Sequence, residues 1–299
     1  MEIAGYIVSG FFGLVMGSFA GASVWRLRAR QLLEDKAEGE SYDKKELKRL
    51  QPLTGKSFSS DRSQCLHCHH ELAWYDLLPL VSWLSTGGTC RYCKKPIGWF
   101  EPLMELSTAV LFILFYHFWL TTMGLDDWYV LLLWVPVLVM MMILLAYDWK
   151  WFLLPDKVMF PLIAVSGVIA TLGIASSSDL VGATVSAIGA VGILGGLYLV
   201  LWLLSRGTWV GFGDVKLGLA LGLLLGDWML AFLALFLANC IGLLVALPGL
   251  LTKKMSRKTH IPFGPMLIVG SLIALLYGYS LIQIYFDVSN SFVNYTLML

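Results

Sequence analysis

Four acidic residues stand in or beside long apolar runs, and they set the chemistry to be asked of this chain. Asp148 ends one run in Ala146-Tyr147-Asp148-Trp149, and Asp156 follows in Leu153-Leu154-Pro155-Asp156. Asp214 sits in Gly211-Phe212-Gly213-Asp214-Val215-Lys216, and Glu105 opens a further apolar stretch. An acid at membrane depth costs about 2.5–3.5 kcal/mol on insertion scales, so each asks for a function. Two carboxylates sharing one proton can polarise a water and protonate a leaving amine, which is what peptide hydrolysis needs. Glycines flanking Asp214 let the backbone turn sharply and leave room for an extended strand. Residue types and spacing leave three readings open: an aspartyl hydrolase, a cation-coupled transporter using the acids for coupling, or purely structural carboxylates.

The cysteines speak for a metal. Cys65-x2-Cys68 and Cys90-x2-Cys93, 21 residues apart, offer four thiolates in two knuckles, a set that selects a tetrahedral Zn²⁺. Four thiolates leave no open coordination position, so the site reads as structural, holding together a segment too small to fold on its own core. His67, His69 and His70 stand beside the first knuckle and could replace a cysteine, but two complete pairs make that unnecessary. Cys240, beside Asn239, reads as a small buried hydrophobe, and His117 as a histidine bonded to a neighbour.

These groups need a scaffold, and composition says which kind. Of 299 residues, 58% are hydrophobic and 14% charged, with a mean hydropathy of +0.75. Soluble domains carry about 25% charged residues, so this is an all-α polytopic membrane protein. A net charge of +1 argues against a nucleic-acid partner, and few cysteines, mostly in Cys-x-x-Cys pairs, indicate a reducing compartment. Apolar segments near 3–23, 102–120, 128–147, 157–176, 180–204, 228–250 and 264–286 are each long enough to cross. An eighth, 215–226, is short. With all eight crossing and the N-terminus outside, the 13 basic residues of 26–95 fall inside. So do Lys150, Lys157, Arg206, Lys216, Lys253, Lys254, Arg257 and Lys258, making all 21. The outer turns then hold Asp126, Asp127, Asp179, Asp227 and Asp287, and all four acids of interest lie at the inner face.

The first segment should remain as a helix rather than be removed as a secretory signal, since Glu2 precedes it and Arg26, Arg28 and Arg30 follow. The expected organisation is a first span at 1–25, a cytoplasmic zinc module at 26–100 and a membrane core at 101–299. Within the module, 31–64 reads as a charged, solvated linker with little apolar periodicity. Glycines recur every fourth residue at Gly13, Gly17, Gly21 and at Gly218, Gly222, Gly226, a spacing that lets helix backbones approach closely.

Taken in order, these motifs resemble one family, the type IV prepilin leader peptidases and N-methyltransferases, over most of the chain. Gly17-Ser18-Phe19 with Arg26-Leu27 is similar to its N-terminal signature, although Ala20 and Gly21 replace the Leu-Asn that often follows. Cys65 and Cys68 through Trp74-Tyr75-Asp76, Pro79-Leu80, Ser82-Trp83, Cys90-Arg91 and Cys93 resemble its cysteine module. Asp148 with Leu154-Pro155-Asp156, then Gly211-x-Gly213-Asp214-x-Lys216, then Ile261-Pro262-Phe263-Gly264-Pro265 resemble its later blocks. The resemblance implies a bacterial inner-membrane aspartic peptidase with Asp148 and Asp214 as the carboxylate pair. It would cut the basic leader from type IV prepilins and type II secretion pseudopilins at the cytoplasmic face. It also implies methylation of the new N-terminus from S-adenosylmethionine. No Gly-rich nucleotide loop accompanies that activity, so its residues stay unassigned, with Glu105 and Lys216 as candidates for support. The oligomeric state stays open.

Overall fold

The structure, a computed structural model, describes residues 2–53, 62–122, 128–252 and 262–297. Lys56, Asp126, Asp127, the cluster Lys253, Lys254, Arg257 and Lys258, and Ile261 lie outside the described residues. The helices are α1 (Glu2–Glu38), α2 (Lys44–Leu50), α3 (Val81–Ser85), α4 (Phe100–Thr122), α5 (Trp128–Trp151) and α6 (Asp156–Ala175). Then follow α7 (Leu180–Val191), α8 (Leu197–Ser205), α9 (Phe212–Leu225), α10 (Trp228–Leu251) and α11 (Gly264–Leu297). A single π-turn, Gly192–Gly196, joins α7 to α8, so the two continue as one apolar segment. Seven helical segments are long and apolar enough to cross a membrane, as the hydropathy pattern predicts, and the protein is a multi-pass membrane protein. The contacts divide the chain into two compact units, Met1–Ala146 and Tyr147–Leu299.

In the first unit α1 and α4 run antiparallel. Their pairs descend one helix as they climb the other: Tyr6 on Tyr116, Phe12 on Phe112, Trp25 on Phe100. The approach depends on missing side chains. A Cβ on Gly13 would stand 2.7 Å from Ala109 Cα, and one on Gly17 would stand 2.6 Å from Glu105 Cα. Gly21, next in the spacing, meets only an ordinary contact with Met104. His117 is bonded, as expected, and its partner is the Tyr6 hydroxyl at 2.8 Å.

The segment after Arg30 is not the solvated linker that its composition suggests. Helix α1 runs unbroken to Glu38, the chain turns through Gly39, and α2 folds back under an N-cap in which Asp43 accepts from the amides of Lys45 and Glu46. Ala29, Leu32, Leu50 and Leu53 are buried together, flanked by Trp25, Tyr42, Leu47 and Leu66. One Glu46 oxygen accepts from both Arg28 Nε at 2.9 Å and Nη2 at 2.7 Å. Each arm contributes only one turn's worth of apolar residues, too few to register as periodicity, yet the arms complete a small core.

In the second unit the shortest membrane-level helix lies innermost. Helix α9 has 14 residues, about 21 Å at 1.5 Å each, against an apolar bilayer thickness of about 30 Å. It touches α6, α7, α8, α10 and α11 and buries eight of its residues, more than half its length. Gly218 and Gly222 make that possible: a Cβ on Gly222 would stand 2.8 Å from Val191 Cα, and one on Gly218 would collide with the Leu194 carbonyl. Gly226, which the spacing places in the same stripe, does another job. At φ +61° it is the left-handed residue that ends α9, its amide donating to Gly222 O, and it packs against nothing.

Candidate active site and metal centre

Asp148 lies one turn before the end of α5, and the chain leaves that helix through Phe152, whose φ of +57° is uncommon for an aromatic residue. The Phe152 amide donates to Asp148 O at 2.9 Å, closing the helix directly beneath the aspartate. Leu153 to Pro155 then run to α6, which starts at Asp156. Asp214 stands in the first turn of α9, behind the N-cap residue Gly211, so its carboxylate lies at the positive end of the helix. Gly213 lets the preceding connection approach, since a Cβ there would stand 3.1 Å from Leu154 Cβ. The contact is locked by Lys216, whose Nζ donates to Asp156 Oδ1 at 2.6 Å and lies over the rings of Phe160 and Phe212.

These elements bring Asp148 and Asp214 to the wall of one cavity of about 660 Å³. Asp148 is buried, and its Oδ2 has no hydrogen-bond partner. A buried carboxylate oxygen left bare is costly unless a water or substrate takes it up. The start of α11 supplies the space: Gly264 faces Asp148, and a Cβ there would stand 2.5 Å from Oδ2. Phe152, Tyr198, Trp209, Asn239 and Phe263 complete much of the wall. Sequence reasoning did not single out Tyr198 or Trp209, because an aromatic residue in an apolar run carries no signal separating cavity from core. Asp156 and Lys216, flagged only singly, form the pair described above. Cys240 is partly buried.

The four cysteines of the first unit converge. Their sulfurs lie within 4.8 Å of one another, with Cys65 and Cys93 Sγ 3.9 Å apart, so the group could hold a metal ion. The two knuckles are built alike. In each, the amide four residues after the first cysteine donates to that cysteine's carbonyl, His69 to Cys65 and Lys94 to Cys90. Those two donors share a left-handed φ, +59° and +58°. Each knuckle closes with an antiparallel bridge, Gln64 to Glu71 and Thr89 to Pro96. Burial pushes the Cys65 thiol up to about 12. At Cys90 burial acts the same way, but hydrogen bonds from the amides of Cys93 and Tyr92 outweigh it and draw the thiol down to about 7. Asp76 braces the second knuckle. Burial acts to raise it, but Arg91 at 2.9 Å, the Tyr92 hydroxyl at 3.0 Å and the Ala73 amide hold its carboxyl below the usual range. Glu105 on α4 accepts the Leu80 amide at 2.7 Å, fixing the module to the membrane helix.

Known proteins carry the same arrangement of segments. Residues 11–119 match a family profile described as the bacterial peptidase A24 N-terminal domain, and 135–247 match the type IV leader peptidase family. A prepilin leader peptidase/N-methyltransferase of Aeromonas hydrophila is 33% identical, the match covering 92% of this chain and 91% of that one. One from Pseudomonas aeruginosa is 32% identical, covering 91% and 90%. The type 4 prepilin-like proteins leader peptide-processing enzyme of Escherichia coli is 31% identical, covering 87% and 89%. No solved structure matches.

Proposed function

Since the chain belongs to the type IV leader peptidase family and is a prepilin peptidase with N-methyltransferase activity, we propose that Asp148 and Asp214 are its catalytic pair. The observation that carries this is their meeting at one cavity, with a buried carboxylate oxygen of Asp148 left without a partner. One carboxylate takes a proton from water as its oxygen bonds the scissile carbonyl carbon. The other, protonated, donates to the nitrogen as the carbon–nitrogen bond breaks. The leader departs as a new carboxylate and the mature chain keeps a free amine. The glycines at 211, 213 and 264 leave the backbone-width access that an extended peptide requires. The comparisons give the transporter reading no support.

Prepilins, and with them type II secretion pseudopilins, are the substrates in this reading. The protein sits in the bacterial inner membrane with both the aspartates and the cysteine module toward the cytoplasm, as the distribution of its basic residues requires. The metal is Zn²⁺ in a structural role. Four thiolates about 2.3 Å from a tetrahedral ion stand about 3.8 Å apart, the spacing that Cys65 and Cys93 already show. The zinc would be held by Cys65, Cys68, Cys90 and Cys93 and would supply folding free energy to the module. The methyl donor is S-adenosylmethionine.

The test is to incubate purified wild type, Asp148→Asn and Asp214→Asn with a prepilin and S-adenosylmethionine, following leader loss and the N-terminal mass together. Wild type should cut the leader and add the mass of one methyl group, and each variant should lose cleavage by at least about a thousandfold. Wild-type rates in either variant would remove that aspartate from the chemistry.

A further inference from the structure

The aspartates account for only part of the motif set. Gly17-Ser18-Phe19, Arg26, Asp76 and Ser82-Trp83 all belong to the first unit, and peptide hydrolysis leaves them without a task. They come together all the same. A cavity of about 170 Å³ lies between α1, the cysteine module and the first turns of α4. Ser18, Arg26, Gln64, Asp76, Glu101 and Glu105 bring polar groups to it. A smaller cavity of about 140 Å³ shares Gln64, Asp76 and Glu101 with it, so the space continues toward the cysteines. Trp25 and Trp83 form apolar parts of the wall.

Its chemistry is specific. Asp76 is occupied by Arg91 and Tyr92, which leaves the carboxylates of Glu101 and Glu105 and the guanidinium of Arg26 as the charges characterising the space. Glu101 is oriented by Trp25 Nε1 at 3.2 Å, and Glu105 by the Leu80 amide. Gln64 Nε2 is buried there without a hydrogen-bond partner, an amide donor that nothing in the described residues satisfies. A ligand matching this set carries positive charge for two carboxylates, a carboxylate for the guanidinium, an acceptor for the amide and a flat apolar face for indole. S-adenosylmethionine has each of these, in its sulfonium and ammonium, its amino-acid carboxylate, its ribose and purine acceptors, and its adenine ring.

We propose that this cavity is the methyl-donor site, with Glu101 and Glu105 toward the cationic groups and Arg26 toward the carboxylate. The assignment rests on the reading that S-adenosylmethionine is the donor. It places methyl transfer in the first unit and peptide hydrolysis in the second. The transfer forms one nitrogen–carbon bond and breaks one carbon–sulfur bond. The amine lone pair attacks the methyl carbon, the sulfonium leaves as a neutral thioether, and the amine's surplus proton passes to a glutamate carboxylate.

The experiment uses the full-length protein in detergent with radiolabelled S-adenosylmethionine, read by equilibrium binding and by ultraviolet cross-linking with peptide mapping. Label should map to peptides within 18–26 or 62–105. Glu101→Gln and Glu105→Gln should each weaken binding about tenfold or more, the loss of a charge-assisted contact. Zinc content and elution profile establish that each variant folds, and if Glu105→Gln does not, Glu101→Gln decides. Undiminished binding in folded variants, or label mapping to 197–263, would overturn the placement while leaving the donor reading intact. A wild type that binds no S-adenosylmethionine would remove the donor reading, and the placement with it.

Discussion

The two units hold their functional groups by opposite means. In the first, polar contacts fix the parts: the Leu80 amide on Glu105, Arg28 on Glu46, Asp76 on Arg91, and four cysteine sulfurs gathered for a metal. In the second, bare backbone does the fixing, with Gly218 and Gly222 seating α9 against the π-turn and the end of α7, and Lys216–Asp156 as the ion pair beside the site. A module that meets water has too little apolar surface to hold itself and recruits directional bonds and a metal. A helix cluster in lipid gains nothing from apolarity alone, because its surroundings are equally apolar, and relies on closeness of fit. The first unit should therefore fail by losing groups and the second by gaining them.

The largest effect belongs to the metal. Structural zinc sites contribute about 10–16 kcal/mol in small domains. Chelation, or Cys65→Ser with Cys90→Ser, should thus expose residues 62–99 to protease while the fragment from Tyr147 onward stays resistant. Equal resistance of the module with and without metal would dissolve the contrast. Next, Gly222→Ala should destabilise the second unit by about 1–3 kcal/mol, because its methyl meets Val191 backbone. Thermal unfolding in detergent should show a lower midpoint, with Gly226→Ala separating the packing effect from the cap. Smallest is Asp43→Ala, which removes the cap of α2 and should cost about 1 kcal/mol. Its signature is faster amide exchange at Lys45 and Glu46, without change in the second unit.

What the sequence makes legible follows the same division. Apolar runs long enough to cross, paired cysteines and acids in apolar surroundings are local facts, and the structure keeps each: seven spans, one sulfur cluster, two aspartates at one cavity. What escapes is whatever needs two distant segments at once. Leu32 and Leu50 look like isolated apolar residues in a charged stretch until the turn at Gly39 brings them together. Gly226 continues a four-residue pattern whose other members pack, yet its position after the last helical residue decides its role instead. Glu105 reads as one acid among four until Leu80, 25 residues away in the chain, donates to it. The partnership of Asp156 with Lys216, 60 residues apart, is of the same kind.

The brevity of α9 bears on how a hydrolase can work at the level of a membrane. Its 14 residues fall roughly 9 Å short of a hydrocarbon layer. The helix that carries Asp214 in its first turn is thus too short for both of its ends to reach the headgroups of an undisturbed bilayer. If the other end is held at its own surface, the deficit falls where Asp214 stands, and the aqueous boundary dips to meet the carboxylates. Hydrolysis then needs no channel to deliver its second reactant. Solvent is already in place, and the substrate alone has to arrive.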